Sequence, residues 1–193
     1  DRRKLDSMSE TGAHQGVIAA VPAAEYASVE DILRAADADS APALIVLCDG
    51  LSDPHNLGAI VRTAGAAGAH GVIIPKHRSV SLTASCAKAA AGALEHVPVA
   101  RVTNLADTIV QLQKHGIWVF GTAGEATVSF YDADFNRPAA IVIGNEGSGL
   151  SRLVRERCDY LVSIPMKGAV PSLNASAAAA VVLFEAVRRR LGR

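Results

Sequence analysis

The sequence has no surplus of charge, no paired-cysteine motif and no long apolar run, and each absence removes a class of protein. Lysines and arginines number 19, and so do aspartates and glutamates, so the formal net charge is zero. A general polyanion binder normally carries a strong basic excess. A nucleic-acid ligand therefore has to be held by a local patch. The bases are indeed uneven, with "DRRK" opening the chain and "RRRLGR" closing it. Cys48, Cys86 and Cys158 are odd in number and far apart, without CxxC spacing. That excludes a disulfide frame or a zinc site and reads as reduced thiols in a cytoplasmic protein. No apolar stretch reaches the length of about 18 residues, free of charge, that a membrane span needs. No signal-peptide pattern is seen.

What is present points to one α/β domain. The chain has 193 residues, half of them hydrophobic, enough for one well-buried core. Residues 1 to 16 are polar without clear period and read as a linker, followed by a short apolar run, "GVIAAV" (16–21), expected as a strand. "SVEDILRAA" (28–36) has Ser28 as N-cap, Asp31 three residues on and one apolar face, so it is a capped helix. "ALIVLCD" (43–49), "GVIIP" (71–75), "VPVARV" (97–102), "IWVFGT" (117–122), "AAIVIG" (139–144) and "YLVSIP" (160–165) are short apolar runs of the kind buried on both faces. Helical patterns lie between them: from Asp53 and Pro54 to about Ala67, then 81–94, 104–116, 151–158 and 172–191. This alternation predicts a mostly parallel sheet with helices on both faces.

In such sheets ligands bind beyond the carboxyl ends of the strands. Four unusual stretches fall there: "DGLSDPHNLG" (49–58), "GTAGEA" (121–126), "GNEGSGLS" (144–151) and "IPMKGAVPSLN" (164–174). The glycines at 144, 147 and 149 allow positive φ and close backbone approach. Their GxxGxG spacing is neither the dinucleotide fingerprint nor the phosphate loop. Taken alone it is a flexible turn, but Glu146 within it can accept hydrogen bonds or pair with a cation. His55 and Arg62, seven apart, share one helix face with Ala59 between them. An arginine there suits a phosphate or carboxylate; the bland reading is a surface arginine. Ser172 and Asn174 are good capping types. Beyond them, 177–184 is apolar all round and has to be buried on every side, either inside one domain or against a second copy, the simpler case being a homodimer.

"DPHNLGAIVRTAGAAGAHGVIIP", "IVIGNEGSGLSRLVRERCDYLVSIPM" and "SLNASAAAAVVLFEA" together resemble the three ordered motifs of the SpoU (TrmH-type) RNA 2'-O-ribose methyltransferases of the SPOUT superfamily. The match covers about 43 to 191. Upstream, "GAHQGVIAAV" resembles the junction before the catalytic domain in the branch typified by bacterial 23S rRNA guanosine 2'-O-methyltransferases. The resemblance implies a catalytic domain over 21–193 and, in 1–20, a linker from an N-terminal RNA-binding domain not in this sequence. It also implies a C-terminal trefoil knot, a homodimer and S-adenosylmethionine as methyl donor, with S-adenosylhomocysteine as product. Carried over position by position, donor contacts fall on Thr122, Ala123, Gly144, Ile164, Met166, Ser172 and Leu173. The catalytic set falls on Asn56, Arg62, Glu146 and Asn174, with His55 a weaker candidate base and no metal. Pro171 and the alanine-rich "NASAAAA" depart from the pattern without touching a catalytic position. The substrate implied is a guanosine of 23S rRNA. The alternatives are a tRNA guanosine, an rRNA adenosine as in antibiotic-resistance methyltransferases, or an RNA-binding ribosome-assembly module without turnover.

Overall fold

The computed structural model describes residues 2–9, 14, 16–17 and 25–192. Among the described residues, seven strands form a single parallel sheet: β1 (Leu44–Asp49), β2 (Gly71–Pro75), β3 (Val99–Val102), β4 (Trp118–Thr122), β5 (Val128–Ser129), β6 (Ala139–Gly144) and β7 (Tyr160–Ser163). Their order is β3-β2-β1-β6-β4-β7-β5. The helices are α1 (Arg2–Met8), α2 (Val29–Ala38), α3 (Pro54–Ala66), α4 (Ala84–Ala90), α5 (Leu105–Lys114), α6 (Arg152–Arg157) and α7 (Ala175–Arg190).

Alternate residues of each buried strand feed opposite faces, as the two-residue period of a strand requires. Leu44, Val46 and Cys48 of β1 face the core shared with α3, α4 and α7. Ile45 and Leu47 face the core shared with α2, α5 and α6. β1 and β6, central and almost wholly buried, pair from Leu44 with Ala139 to Asp49 with Gly144. Their carboxyl ends are therefore level, and the loops that leave them meet.

The caps expected from sequence form. The Ser28 side chain accepts from the Asp31 amide while the Asp31 carboxylate accepts from the Ser28 amide. Those hydrogen bonds and Arg34 hold the Asp31 carboxyl down at about 2. Asp53 caps α3 with Pro54 in its first turn. Asn104 caps α5, and Gly116 beyond it takes a positive φ of 81°. Burial pushes the Cys86 thiol up to about 11 and the Cys158 thiol to about 12, and raises Cys48 as well. All three are free thiols. No helix among the described residues is long and apolar enough to cross a membrane.

Four expectations need correction. The stretch expected as an unpatterned linker contains α1. Gly16 and Val17 form no strand, and 18–21, the rest of that expected strand, lies outside the described residues. The helix expected over 81–94 ends at Ala90, because Ala91 turns left-handed (φ 49°) and a single 3-10 turn follows at Ala93–Glu95. The last helix begins at Ala175, not at 172, since Asn174 is the residue that caps it. The sequence reading also missed β5, only two residues long, at the edge of the sheet.

The apolar stretch of α7 is not buried all round within one chain. Ala179, Val182, Leu183 and Ala186 are buried, while Val181 and Phe184 stay 39% and 48% exposed. With Ala177 they line one face at helical spacing.

Close packing of α3 on α4 rests on one glycine. A Cβ at Gly58 would lie 2.3 Å from the Cys86 carbonyl oxygen and 2.6 Å from the Ala89 Cβ. Both neighbours are fixed in a helix, so Gly58→Ala is expected to destabilise the fold by roughly 1–3 kcal/mol through overpacking. A urea-unfolding midpoint unchanged from wild type would show that α4 yields freely.

Candidate active site

The chemistry-bearing side chains converge where the carboxyl ends of β1, β4, β6 and β7 open. Asn56, in the first turn of α3, is 7% exposed, and its two amide atoms face two different loops. Its Nδ2 donates to Glu146 Oε1 at 2.6 Å. Its Oδ1 accepts from Asn174 Nδ2 at 2.9 Å. The second carboxylate oxygen of Glu146 accepts from the Ser52 hydroxyl at 3.3 Å. Asn174 is held from behind, its Oδ1 accepting from the amides of Ser176 and Ala177 as the cap of α7. Residues 90 and 118 positions away from Asn56 are thus locked to it.

Glu146 sits on a tight turn built by its neighbour. Asn145 and Gly149 exchange both backbone hydrogen bonds, at 3.0 and 2.9 Å. The Asn145 side chain accepts from the amides of Gly147 and Ser148 and donates to the Gly50 carbonyl at 2.7 Å. The glycines therefore serve the turn. A Cβ on Gly144 would lie 2.5 Å from the Gly149 carbonyl carbon, so Gly144 is small because its own loop folds back on it. Among the three glycines only Gly149 has a positive φ, 66°. The fit of Gly144 within its own loop is a reason for glycine there that the sequence reading did not see.

Behind this turn lies a cleft of about 480 Å³, within the range of small-molecule sites. Thr122, Ala123 and Gly144 line it from β4 and β6. Ile164 and Met166 line it after β7, and Ser172 and Leu173 before α7. All seven residues singled out for cofactor contact thus line one cleft. Thr122 is turned by its hydroxyl, which donates to the Val142 carbonyl at 2.9 Å. Glu146 is the only ionisable side chain among the described residues that line the cleft. A site with one carboxylate and no base suits a cationic or neutral ligand and lacks the partner a phosphate needs. A sulfonium donor with an amino acid tail and an adenine ring meets that condition.

Arg62 stands apart from this set. It is exposed on α3, six residues and about 9 Å along the axis from Asn56. It lines a shallow hollow with Gly65, Ala93, Glu95 and His96 instead of the cleft. His55 shares that face, is exposed, and its Nδ1 lies 3.2 Å from Asp53 Oδ1. Ser52 and Asn145 were missed by sequence reasoning. Asn145 had a legible signal, an asparagine two residues before a glycine at a turn. Ser52 had none, since nothing local says that its hydroxyl faces Glu146.

Against known proteins, residues 43–184 match the model of the SpoU rRNA Methylase family. The chain is 52% identical over 193 residues to the 23S rRNA (guanosine-2'-O-)-methyltransferase RlmB of Haemophilus influenzae, covering all of this chain and 78% of that protein. Among solved structures it is similar to the SpoU methyltransferase AviRb from Streptomyces viridochromogenes in complex with the cofactor AdoMet. There the TM-score is 0.78 and the identity 34%, over 90% of this chain and 67% of that one. A second AviRb structure is matched over 60% of its length. A TrmH/SpoU tRNA modifying enzyme of A. aeolicus is also similar, with TM-score 0.72 and 29% identity over 83% of this chain and 81% of that one.

Asn56→Asp tests the bridge. It would set two carboxylates at hydrogen-bond distance, so one proton is retained and the pair's apparent pKa rises. A raised folded-state pKa gives stability that is present at low pH and lost as pH rises through it. The melting-temperature deficit of Asn56→Asp against wild type should therefore widen from pH 5 to pH 8. A deficit independent of pH would mean that residues 56 and 146 are not in contact.

Proposed function

The chain belongs to the SpoU rRNA methylase family, and from that premise we propose that it methylates the ribose 2'-hydroxyl of a guanosine in 23S rRNA, using S-adenosylmethionine. The observation that carries this reading is Asn56 joined to Glu146 and Asn174 at the mouth of a base-free cleft. Relatives 50–52% identical that are named for 23S rRNA guanosine support the large-subunit rRNA, while a relative 53% identical is named for tRNA/rRNA and keeps the tRNA reading as the alternative. A bacterial cell holds its rRNA in the cytoplasm, and a chain with this substrate acts there.

When bound, S-adenosylmethionine supplies the electrophilic methyl carbon; the chain supplies binding, alignment and charge. Thr122 and Ala123, with Gly144, form one wall for the donor, and Ile164, Met166, Ser172 and Leu173 form the other. Glu146 faces that space with its carboxylate oriented by Asn56 and Ser52, so it can accept a hydrogen bond from a hydroxyl or amino group. The remaining amide hydrogen of Asn174 can serve an incoming sugar oxygen. Arg62 grips the phosphate beside the target ribose. A guanidinium holds its proton near neutrality, so the 2'-hydroxyl proton passes to that phosphate or to water, and His55 is a secondary candidate.

Arg62 lies outside the cleft of its own chain, and a homodimer resolves this. The stripe of Ala177, Val181 and Phe184 is the exposed apolar face of α7, opposite the face that is buried in its own chain, and α3 packs on the same helix. A second copy seated there would bring its own α3, and with it Arg62, toward the cleft. The knotted path of residues 164–174 belongs to the same reading, supported by their passage along the cleft between β7 and α7.

Arg62→Ala is expected to abolish methyl transfer to unmodified 23S rRNA transcript while calorimetric donor affinity stays within a few-fold. A collapse of donor affinity would contradict this division of labour. Phe184→Glu is expected to yield monomers by light scattering and to lose transfer. A dimer that persists would remove α7 as the contact. If wild-type protein with donor forms no 2'-O-methylguanosine in that transcript, by mass spectrometry, the substrate assignment fails.

A further inference from the structure

The loop between β2 and α4, residues 76–82, carries Lys76, His77 and Arg78 at the same rim as the Asn56 bridge. α3 and α4 run side by side in the same direction, with Gly58 against Cys86 and Ala90 and Gly65 against Ala93 and Val97. The loop that enters α4 therefore lies at the end of α3 that carries His55 and Asn56. It is fixed there. The Val80 amide donates to the Leu51 carbonyl at 3.0 Å, and the Leu82 amide to the Tyr26 hydroxyl at 2.9 Å. The Arg101 guanidinium donates to the Lys76 carbonyl at 3.0 Å and lies over the Tyr26 ring.

All three side chains of the basic run are exposed. The described ion pairs of lysine and arginine occupy Arg34, Arg137, Arg152, Arg155, Arg188 and Arg189, not Lys76 or Arg78. Arg78 also holds a φ of 55°, a conformation that residues with a Cβ seldom adopt and that persists where surroundings enforce it, often at functional sites. Its carbonyl lies against Gly50, whose own carbonyl accepts from Asn145 beside Glu146. Among described buried side-chain atoms, the two without a hydrogen-bond partner are Ser79 Oγ and Arg101 Nε. Both are donors held beneath the surface of the loop, out of reach of a ligand, so binding there falls to its exposed cations.

We propose that Lys76 and Arg78, displayed by this strained and anchored loop, bind backbone phosphates of the substrate RNA and set the register in which its target ribose enters the site. This rests on the reading that the substrate is RNA. The unpaired cations of the loop give a zero-net-charge chain a local electropositive rim. The hydrogen bond from the Val80 amide to the Leu51 carbonyl ties the loop to the segment whose Gly50 carbonyl holds the Asn145 side chain, and so sets the distance between phosphate grip and Glu146. Lys76 and Arg78 are positioning residues, as they touch neither the donor cleft nor the Asn56 bridge.

The test is the Lys76→Ala/Arg78→Ala variant with unmodified 23S rRNA transcript, measured for both binding and methyl transfer across salt concentrations. The salt slope of log affinity should fall by roughly 0.7–0.9 for each phosphate that is no longer neutralised. KM for the transcript should rise by about ten-fold or more, with kcat changing less than KM. Arg78→Gly, which relaxes the backbone while removing the charge, should show the loss, and Arg78→Lys should largely restore binding. An unchanged salt slope and KM in the double variant would overturn the proposal, as would a loss in Arg78→Ala that neither Arg78→Gly reproduces nor Arg78→Lys repairs. Because binding is read separately from transfer, a chain that binds RNA through this loop yet transfers nothing sinks only the functional reading. A chain that transfers normally without these side chains sinks only the loop.

Discussion

A single buried carboxamide, that of Asn56, satisfies both its hydrogen-bonding ends with side chains from distant parts of the chain. A buried amide left half-paired costs free energy, so the three loops either meet or the site is destabilised. They meet because β1 and β6 are adjacent, parallel and in a register that ends both at the same level. The Asn145 turn then carries Glu146 back over the end of β1, and the cap of α7 carries Asn174 to the other end of the amide. Fold and site are therefore coupled: the same parallel register that buries the apolar strands also delivers the polar groups.

Charge is organised by exclusion. The cleft keeps one carboxylate and no base among its described lining residues. Many arginines are occupied by carboxylates at the surface, such as Arg188 and Arg189 on Glu185 and Arg137 on Asp134. The bases left exposed and without a described ion-pair partner include Arg62 on α3 and Lys76 and Arg78 on the loop that enters α4. That places opposite electrostatic preferences side by side, a cation-accepting hollow and a phosphate-accepting rim. A net charge of zero hides both, because it is a sum and not a map.

Small residues serve packing here as much as ligand approach. Gly58 lets α3 lie on α4, and Gly144 lets the Asn145 turn close. Each is a close approach within the fold. The alanines of α7 similarly allow it to press against α3 on one side, while Val181 and Phe184 remain on the other.

Local sequence determined the helix caps at Ser28, Asp53 and Asn104, the buried strands and the rim on which the unusual loops gather, because capping and two-residue alternation act over only a few positions. Asn174 was legible as a cap and Glu146 as a carboxylate in a glycine turn. Grouping them with Asn56 came from the resemblance to the family motifs, because Asn56 by itself is no more than a helix-start residue and the cap is Asp53. Only the tertiary structure decided that Ser52 completes the carboxylate, that Gly144 faces its own loop, that β5 exists as a two-residue edge, and that Arg62 lies outside the cleft of its own chain. Most of those outcomes depend on contacts between distant segments, such as Ser52 with Glu146, 94 residues apart, which are fixed by strand order and register. The Gly144 contact is short-range, with Gly149, but depends on the exact closure of its turn.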